Sequence, residues 1–488
     1  RDGGIGKLSL LVNNKQVAED INPAPNRKTD LSVDLNRFVD HYLPGETNTI
    51  TLRAFTADGL WPSQDFRLPF TPAVSSKGDE NTGADNAVVS SSVGKSYLYG
   101  IIIGTSKYNQ SMALNFPDKD AAYMKEALEA AGKGMFGNRI DIRLLSTADG
   151  TPPAQLATKK NIEAVFEDIR AKAKAIDILV VYFSGHGLTK NNQFYYLTKD
   201  VQDTDMRDTL FWRQTTVSQQ ELTKWLTANY ANKQVVIFDA CNSGSFARTF
   251  DPAAAKDITD YAVKAFDEMK GVTGTYILAG SAGDKSSYEA SKYGQGLLTY
   301  SILQGMSFAA LNEKRVDVSK LFDHACVTVP KLAAGIGKTQ KPERATPKGG
   351  APIFIGIVDK DTRMPKLPDP KDLFLRPKFG VLPDLNDPLE LEDKLVDEFV
   401  RLTARGATAP IFYIDRVDAN QYQGAYIVSG SYEIKSNGSV ELKGSVKLGK
   451  TKVEDFTIAG HRDKPAELTT QLLDTVLEIA ARQREKGN

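Results

Sequence analysis

Residues 97–358 predict an α/β fold, a mostly parallel sheet with helices on both faces. Two observations carry this. Largely apolar runs of strand length recur at Tyr97–Gly104, Ile176–Phe183 and Gln234–Asp239. Segments of helical periodicity lie between such runs, and strands separated by helices pair in parallel through crossovers. A third observation sets the scale. At 488 residues the chain exceeds one ordinary core, and at roughly 100–200 residues per domain it asks for two to four domains.

The elements follow in order. Residues 1–71 read as β. Leu8–Val12 precedes the turn Asn13-Asn14, Leu31–Leu35 alternates, and Thr49–Phe55 alternates again after the turn Pro44–Asn48. Short alternating strands with regular turn signals suggest a small sandwich. Residues 72–95, rich in Ser, Gly, Asn and Asp, read as a flexible linker. The segment 96–358 is the main domain. Asp118–Ala131 is expected as a helix whose apolar face is Ala122, Met124, Leu128 and Ala131. Ile140–Leu145 is a strand and Lys160–Ala173 a helix. Thr275–Ala279 and Pro352–Val358 add strands, and helices are expected near 296–310 and 318–331. Residues 359–375, with proline and charge, read as a stiff spacer. Residues 376–488 predict a last α/β unit. It has a helix at 388–405, a strand at Pro410–Asp415, three alternating strands near 426–434, 439–448 and 452–458, and a closing helix at 465–484. Asn437-Gly438 marks the hairpin between the first two of the three.

Composition bounds the function. The 61 basic and 61 acidic residues cancel, so no global field favours nucleic acid or an anionic membrane. No apolar run reaches the ~18–20 residues of a membrane span. Two cysteines, Cys241 and Cys326, exclude a disulfide framework. Such usage fits a reducing cytoplasm or a periplasm equally, and localisation stays open. The start Arg1-Asp2-Gly3-Gly4 has neither Met nor signal peptide, as in a fragment or processed product with any targeting signal upstream.

Two motifs carry the chemistry. Tyr182-Phe183-Ser184-Gly185-His186-Gly187 and Phe238-Asp239-Ala240-Cys241-Asn242-Ser243-Gly244 each follow an apolar strand. Ligands of open parallel sheets bind beyond the carboxyl ends of the strands, which would bring His186 and Cys241 to one edge. A thiol is only weakly ionised at neutral pH, and a neighbouring imidazole can take its proton and return one to a leaving amine. Gly185 and Gly187 would let backbone approach a substrate closely. Backbone N–H groups at Gly187 and Cys241 would serve as an oxyanion hole.

These motifs resemble those of the caspase/metacaspase clan of cysteine peptidases. A His precedes the Cys by about 50 residues in that clan, and 55 positions separate them here. Asp-Ala-Cys-Asn-Ser-Gly is closer to the metacaspase pattern than to the Gln-Ala-Cys pattern of animal caspases. Leu114–Asp120 looks like the clan's first loop, ending in Asp-Ala. Ser286-Ser287-Tyr288-Glu289 and Gly296–Tyr300 look like its small-subunit signature. The resemblance implies a caspase-like sheet, a His186–Cys241 dyad and a protein or peptide substrate. Asp120, Ser184 and Asp239 match the acidic S1 type, implying cleavage after Arg or Lys. At Asp120 the competing reading is a helix N-terminal charge, with Asp118 as a rival in the same turn.

The resemblance implies no obligatory cofactor. Some metacaspases need calcium, and Asp200, Asp203, Asp205 and Asp208 form an oxygen-rich cluster. Arg248 stands near where an acidic ligand is expected, so a solvated acidic loop is the favoured reading. Stretch 245–272 corresponds to the intersubunit linker of caspases, where Arg248, Lys256, Lys264 and Lys270 are candidate self-cleavage points. His324 and Cys326, two apart on a helix, face different sides and make no metal site. His41 and His461 have no suggestive neighbours.

The flanking segments carry looser resemblances. Arg1–Val12 and Asn48–Gly59 resemble an immunoglobulin-like module found before caspase-like domains in bacterial proteins. Tyr426–Tyr432, its hairpin and the closing helix resemble TolB-type amino-terminal or CsgG-like envelope domains, implying a protein-binding role. An upstream sensor or partner protein would fit this organisation. A non-catalytic caspase-like scaffold is the rival from another functional class, and a separase-like or gingipain-like hydrolase the rival enzyme.

Overall fold

The computed structural model describes residues 5–22, 31–59, 61–72, 96–108, 112–190, 193–201, 209–242, 258–280, 289–290, 292–336, 338–347, 352–382, 386–405, 409–415, 422 and 424–487. The chain divides into two compact units. One comprises Arg1–Ser287, Leu298–Val329 and Gln340–Leu367; the other comprises Tyr288–Leu297, Pro330–Thr339 and Pro368–Asn488.

The first unit opens with an antiparallel sheet of order β2-β1-β3-β4, from β1 (Ile5–Val12), β2 (Lys15–Ala18), β3 (Asn48–Thr56) and β4 (Phe66–Phe70). The alternation expected of a sandwich is there, but the described residues make one sheet, not two. Leu10, Val12 and Ile50 bury one face against Phe38 of the 3-10 segment Leu35–His41 and against Tyr42, which caps it. The sheet is also tied to later segments of the unit. The fully buried Lys15 Nζ donates to the carbonyls of Asn229 and Ala231, and Arg53 bridges Asp65 and the Gly271 carbonyl. The second layer is thus supplied by later parts of the chain, which a local pattern cannot announce.

The central sheet runs β16-β11-β10-β7-β5-β6, with β8 on β7 and β9 on β8. Its strands are β5 (Leu98–Gly104), β6 (Ile140–Leu145), β7 (Ile178–Lys190), β8 (Gln193–Leu197), β9 (Thr216–Ser218), β10 (Lys233–Asn242), β11 (Tyr276–Ala279) and β16 (Glu343–Ala345). From β6 to β11 the neighbours are parallel, while β16 and β8 add antiparallel pairs. Parallel strands buried on both faces must be apolar throughout, which is why these runs showed no alternation. On one face Val181, Phe183 and Phe238 pack against Phe166, Trp225 and Phe266. These project from α2 (Lys159–Arg170), α4 (Gln219–Ala228) and α5 (Ile258–Thr273). The sequence did not announce α3 (Thr209–Thr215), α4 or α5.

Helix α1 (Pro117–Phe136) buries Ala121, Met124, Leu128 and Ala131. Ala122, expected on that face, is exposed. Spacings of three and four from Met124 select Ala121, and Ala122 lies one helical step off the stripe. Helices α6 (Leu297–Gln304) and α7 (Val318–Ala334) follow. Expected strand Pro352–Val358 is Phe354–Ile357, which joins a separate three-stranded antiparallel sheet with Leu311–Asn312 and Arg315–Asp317.

The second unit carries a sheet of order β20-β18-β21-β22-β23, with β19 on β21, where β19 is Lys378–Gly380 and β20 is Ile411–Ile414. Strand β18 (Asp372–Leu375) corrects the spacer expected over 359–375: its Leu373, Phe374 and Leu375 are buried. Four residues are too few to show a period against neighbouring prolines. β21 (Ala425–Ile434), β22 (Ser439–Leu448) and β23 (Thr451–His461) are antiparallel, and the turn at Asn437-Gly438 gives Gly438 a φ of 83°. Helices α8 (Leu391–Thr403) and α9 (Pro465–Gly487) cover one face. Among the described residues no helix is long and apolar enough to cross a membrane.

Candidate active site

The first motif lies within a strand rather than after it, and so does the second through Asn242, its Ser243 and Gly244 lying outside the described residues. β7 continues through Ser184-Gly185-His186-Gly187, and β10 continues to Asn242. The parallel register pairs Asp239 with Ser184, Cys241 with His186 and Asn242 with Gly187. Neighbouring strands lie about 4.8 Å apart, so the backbones of His186 and Cys241 stand side by side. On the other side of β7, Gly104 pairs with Ser184. A Cβ on Gly104 would lie 2.4 Å from the Pro117 carbonyl oxygen. That contact lets the first turn of α1, with Asp118 and Asp120, reach the strand ends.

The half-buried His186 is held from three directions. Its backbone N–H donates to Tyr108 Oη at 2.9 Å, its ring packs on the Tyr108 ring with centroids 4.8 Å apart, and Nε2 is 2.8 Å from the Met112 carbonyl oxygen. A carbonyl can only accept, so Nε2 carries the ring proton and Nδ1 the basic lone pair. Burial lowers the imidazole pKa below its ordinary value, and the Met112 carbonyl partly opposes this. The ring is therefore neutral, and able to accept a proton, over more of the mildly acidic range. A main-chain carbonyl such as that of Met112 leaves no mark in side-chain patterns.

The glycines flanking His186 serve a different need from the one their spacing suggested. Gly185 has φ 149°, and a Cβ there would meet Tyr108 Oη at 2.7 Å and Tyr196 Oη at 3.0 Å. A Cβ on Gly187 would meet the Phe194 ring at 2.7 Å. These contacts make room for the aromatic side chains that seat the histidine strand; they are not openings toward a ligand.

Below the pair lies a buried polar cluster. Asp239 accepts at Oδ2 from the Thr299 N–H at 3.0 Å and from the Thr299 hydroxyl. The Tyr182 hydroxyl is hydrogen-bonded to Thr299 Oγ1 and to the Ser184 side chain. Burial raises the Asp239 pKa, and the two Thr299 bonds counteract that. Tyr182 is raised well above the usual phenol value, first by burial and then by the charges of Asp120 and Asp239. Asp120, Ser184 and Asp239 are all buried. The rival Asp118 instead ties α1 to the end of β6, because its carboxylate accepts from Ser146 Oγ and from both N–H and Oγ1 of Thr147. Thr299 and Tyr108 were not singled out from sequence; Thr299 lay inside a quoted signature without a role.

The remaining candidates separate. Arg248, Lys256, Asp203, Asp205 and Asp208 lie outside the described residues. Asp200 accepts from the Lys159 N–H and Thr198 Oγ1 at the start of α2. Lys264 and Lys270 fall on helix α5, where Lys270 pairs with Asp267. Cys326, half-buried with its thiol pKa raised by burial, has Sγ 3.8 Å from the Pro342 carbonyl oxygen, while His324 lies near Thr328. Among the described residues no cluster of His, Cys, Asp and Glu is arranged to hold a metal.

Comparison with known proteins agrees with this geometry. The caspase domain matches residues 99–347, just over half of the chain, spanning both motifs, α1 and the central sheet. No curated protein matches the chain. The caspase domain is a cysteine-peptidase type whose substrates are proteins. The chain belongs to the caspase domain family.

Proposed function

We propose that this protein is a cysteine endopeptidase that cleaves after Arg or Lys, with Cys241 as nucleophile and His186 as general acid and base. The observation that carries the reading is the register pairing of Cys241 with His186 on adjacent parallel strands, above the buried carboxylates Asp239 and Asp120. The Cys241 thiol gives its proton to His186 Nδ1. The sulfur attacks the scissile carbonyl carbon, and the displaced electron pair moves to oxygen. N–H groups of Gly187 and Cys241 stabilise that oxyanion. Collapse breaks the C–N bond, and His186 returns the proton to the leaving amine. Water then attacks the thioester with His186 as base, releasing the acid and restoring the thiol. Asp120, Ser184 and Asp239 form S1, where carboxylates pair with a guanidinium or ammonium group.

A panel of P1-varied peptidyl-coumarins, assayed on wild type and Cys241→Ala, tests this. Turnover of P1 Arg and Lys substrates that vanishes in the variant is expected; preference for P1 Asp sinks the specificity, and equal turnover by Cys241→Ala sinks the mechanism. Self-processing at Arg248 or Lys256 belongs to the same reading. It predicts an intact chain in Cys241→Ala and fragments in wild type. The reaction needs no metal in this scheme, so calcium chelation leaves the rate unchanged.

A further inference from the structure

Thr299 opens the question of how a carboxylate survives as an anion in so buried a place. Asp239 sits at the N-terminal turn of α6, where the Thr299 N–H is one of the amides that the helix itself cannot satisfy. The positive end of the helix favours the anion there. The Thr299 hydroxyl adds a second bond to the same oxygen, Oδ2, so neither bond falls on Oδ1. An ionised carboxylate only accepts, so Thr299 must donate to Asp239, and the Tyr182 hydroxyl must then donate to Thr299 Oγ1. One threonine thus sets the orientation of Asp239 and the direction of the hydrogen-bond chain behind it.

We infer that Thr299 is a positioning residue for recognition of the basic P1 side chain, holding Asp239 by Oδ2 so that Oδ1 meets the substrate cation. This rests on the Arg/Lys reading of the site. The threonine acts through Asp239 and does not touch the reacting atoms. Its loss is expected to weaken substrate binding and leave the dyad alone. The other titratable groups of the cluster are Tyr182 from β7 and Asp120 from the first turn of α1, with Lys119 beside it. None of them donates to Asp239 in the structure, whose hydrogen bonds among the described residues both come from Thr299.

The test compares Thr299→Val and Thr299→Ser in the full chain. Three readouts are taken: KM and kcat for a P1 Arg peptidyl-coumarin, the acid limb of kcat/KM, and the rate of Cys241 alkylation by neutral iodoacetamide. Thr299→Val is expected to raise KM about tenfold, the scale of one hydrogen bond to a charged group, with kcat within about twofold. Its acid limb moves to higher pH as Asp239 becomes harder to ionise, and alkylation keeps the wild-type rate. Thr299→Ser, which retains the hydroxyl, stays near wild type. An unchanged KM in Thr299→Val overturns the inference, as does a fall in alkylation rate matching the loss of turnover, or a serine variant as impaired as valine. Wild type that prefers P1 Asp sinks the specificity reading and this inference with it. Wild type that cleaves after Arg while Thr299→Val does so equally well sinks this inference alone.

Discussion

Replacing Gly185 by alanine tests how the histidine strand is seated. At φ 149° an L residue is strained, and its Cβ would stand 2.7 Å from Tyr108 Oη, 3.0 Å from Tyr196 Oη and 3.2 Å from the Thr105 carbonyl oxygen. The backbone strain alone is about 1–3 kcal/mol, and forcing a methyl into packed surroundings adds about 1–3 kcal/mol. Tyr108 is the atom group most easily displaced, and it is also the acceptor for the His186 N–H. The variant should therefore lose about 2–6 kcal/mol and most of its turnover together. Gly150→Ala is the control: its φ is 79° and nothing lies within 4 Å of the added Cβ. It carries only the backbone strain, about 1 kcal/mol, and keeps full activity. Denaturant unfolding followed by tryptophan fluorescence, alongside peptidyl-coumarin turnover, makes the comparison. If Gly185→Ala is no less stable than Gly150→Ala and turns over normally, the tyrosine seat is not what requires a glycine there.

Three further outcomes follow from the same geometry. Tyr108→Phe keeps the ring against His186 but removes the acceptor of its N–H, and should lower kcat about tenfold with KM unchanged in peptidyl-coumarin assays. Asp118→Ala leaves Ser146 and Thr147 without their shared acceptor, and should cost about 2–4 kcal/mol in an unfolding titration without altering P1 preference, whereas Asp120→Asn alters that preference. Burial lowers the Lys15 pKa from 10.5 to about 7. Between those values the unfolded chain binds more protons, so stability rises with pH across that window, by up to roughly 4–5 kcal/mol in total. Unfolding from pH 7 to 10 should show that slope in wild type and its loss in Lys15→Met; equal slopes refute the assignment.

Much of this site was legible because the information is local. An apolar run ending in Ser-Gly-His-Gly or Asp-Ala-Cys names both the strand and the residues at its end, and the register then places Cys241 beside His186. The same holds for Asn437-Gly438, where the turn chemistry is written in the residue pair. What escaped was long-range or main-chain. Met112 acts through its carbonyl, and Thr299 matters only because α6 folds back to Asp239, sixty positions away in sequence. β18 is buried between β20 and β21 although its sequence neighbourhood reads as a spacer. The N-terminal sheet finds its second layer in segments more than 200 residues away, through Lys15 and Arg53.

The pairing of β7 with β10 fixes where length changes in this chain can be survived. Alignment of the two reacting residues is set by ten consecutive register positions from Lys233–Ile178 to Asn242–Gly187. A single inserted residue in β10 ahead of Cys241 would shift its partner from His186 to a glycine and turn the cysteine to the opposite face. The apolar interior could absorb such a slip in part, but the chemistry could not. Indels that keep activity are thus confined to segments beyond these ten rungs, and a family tree of such proteins should show loops of many lengths around a pair of strands whose residue count never varies.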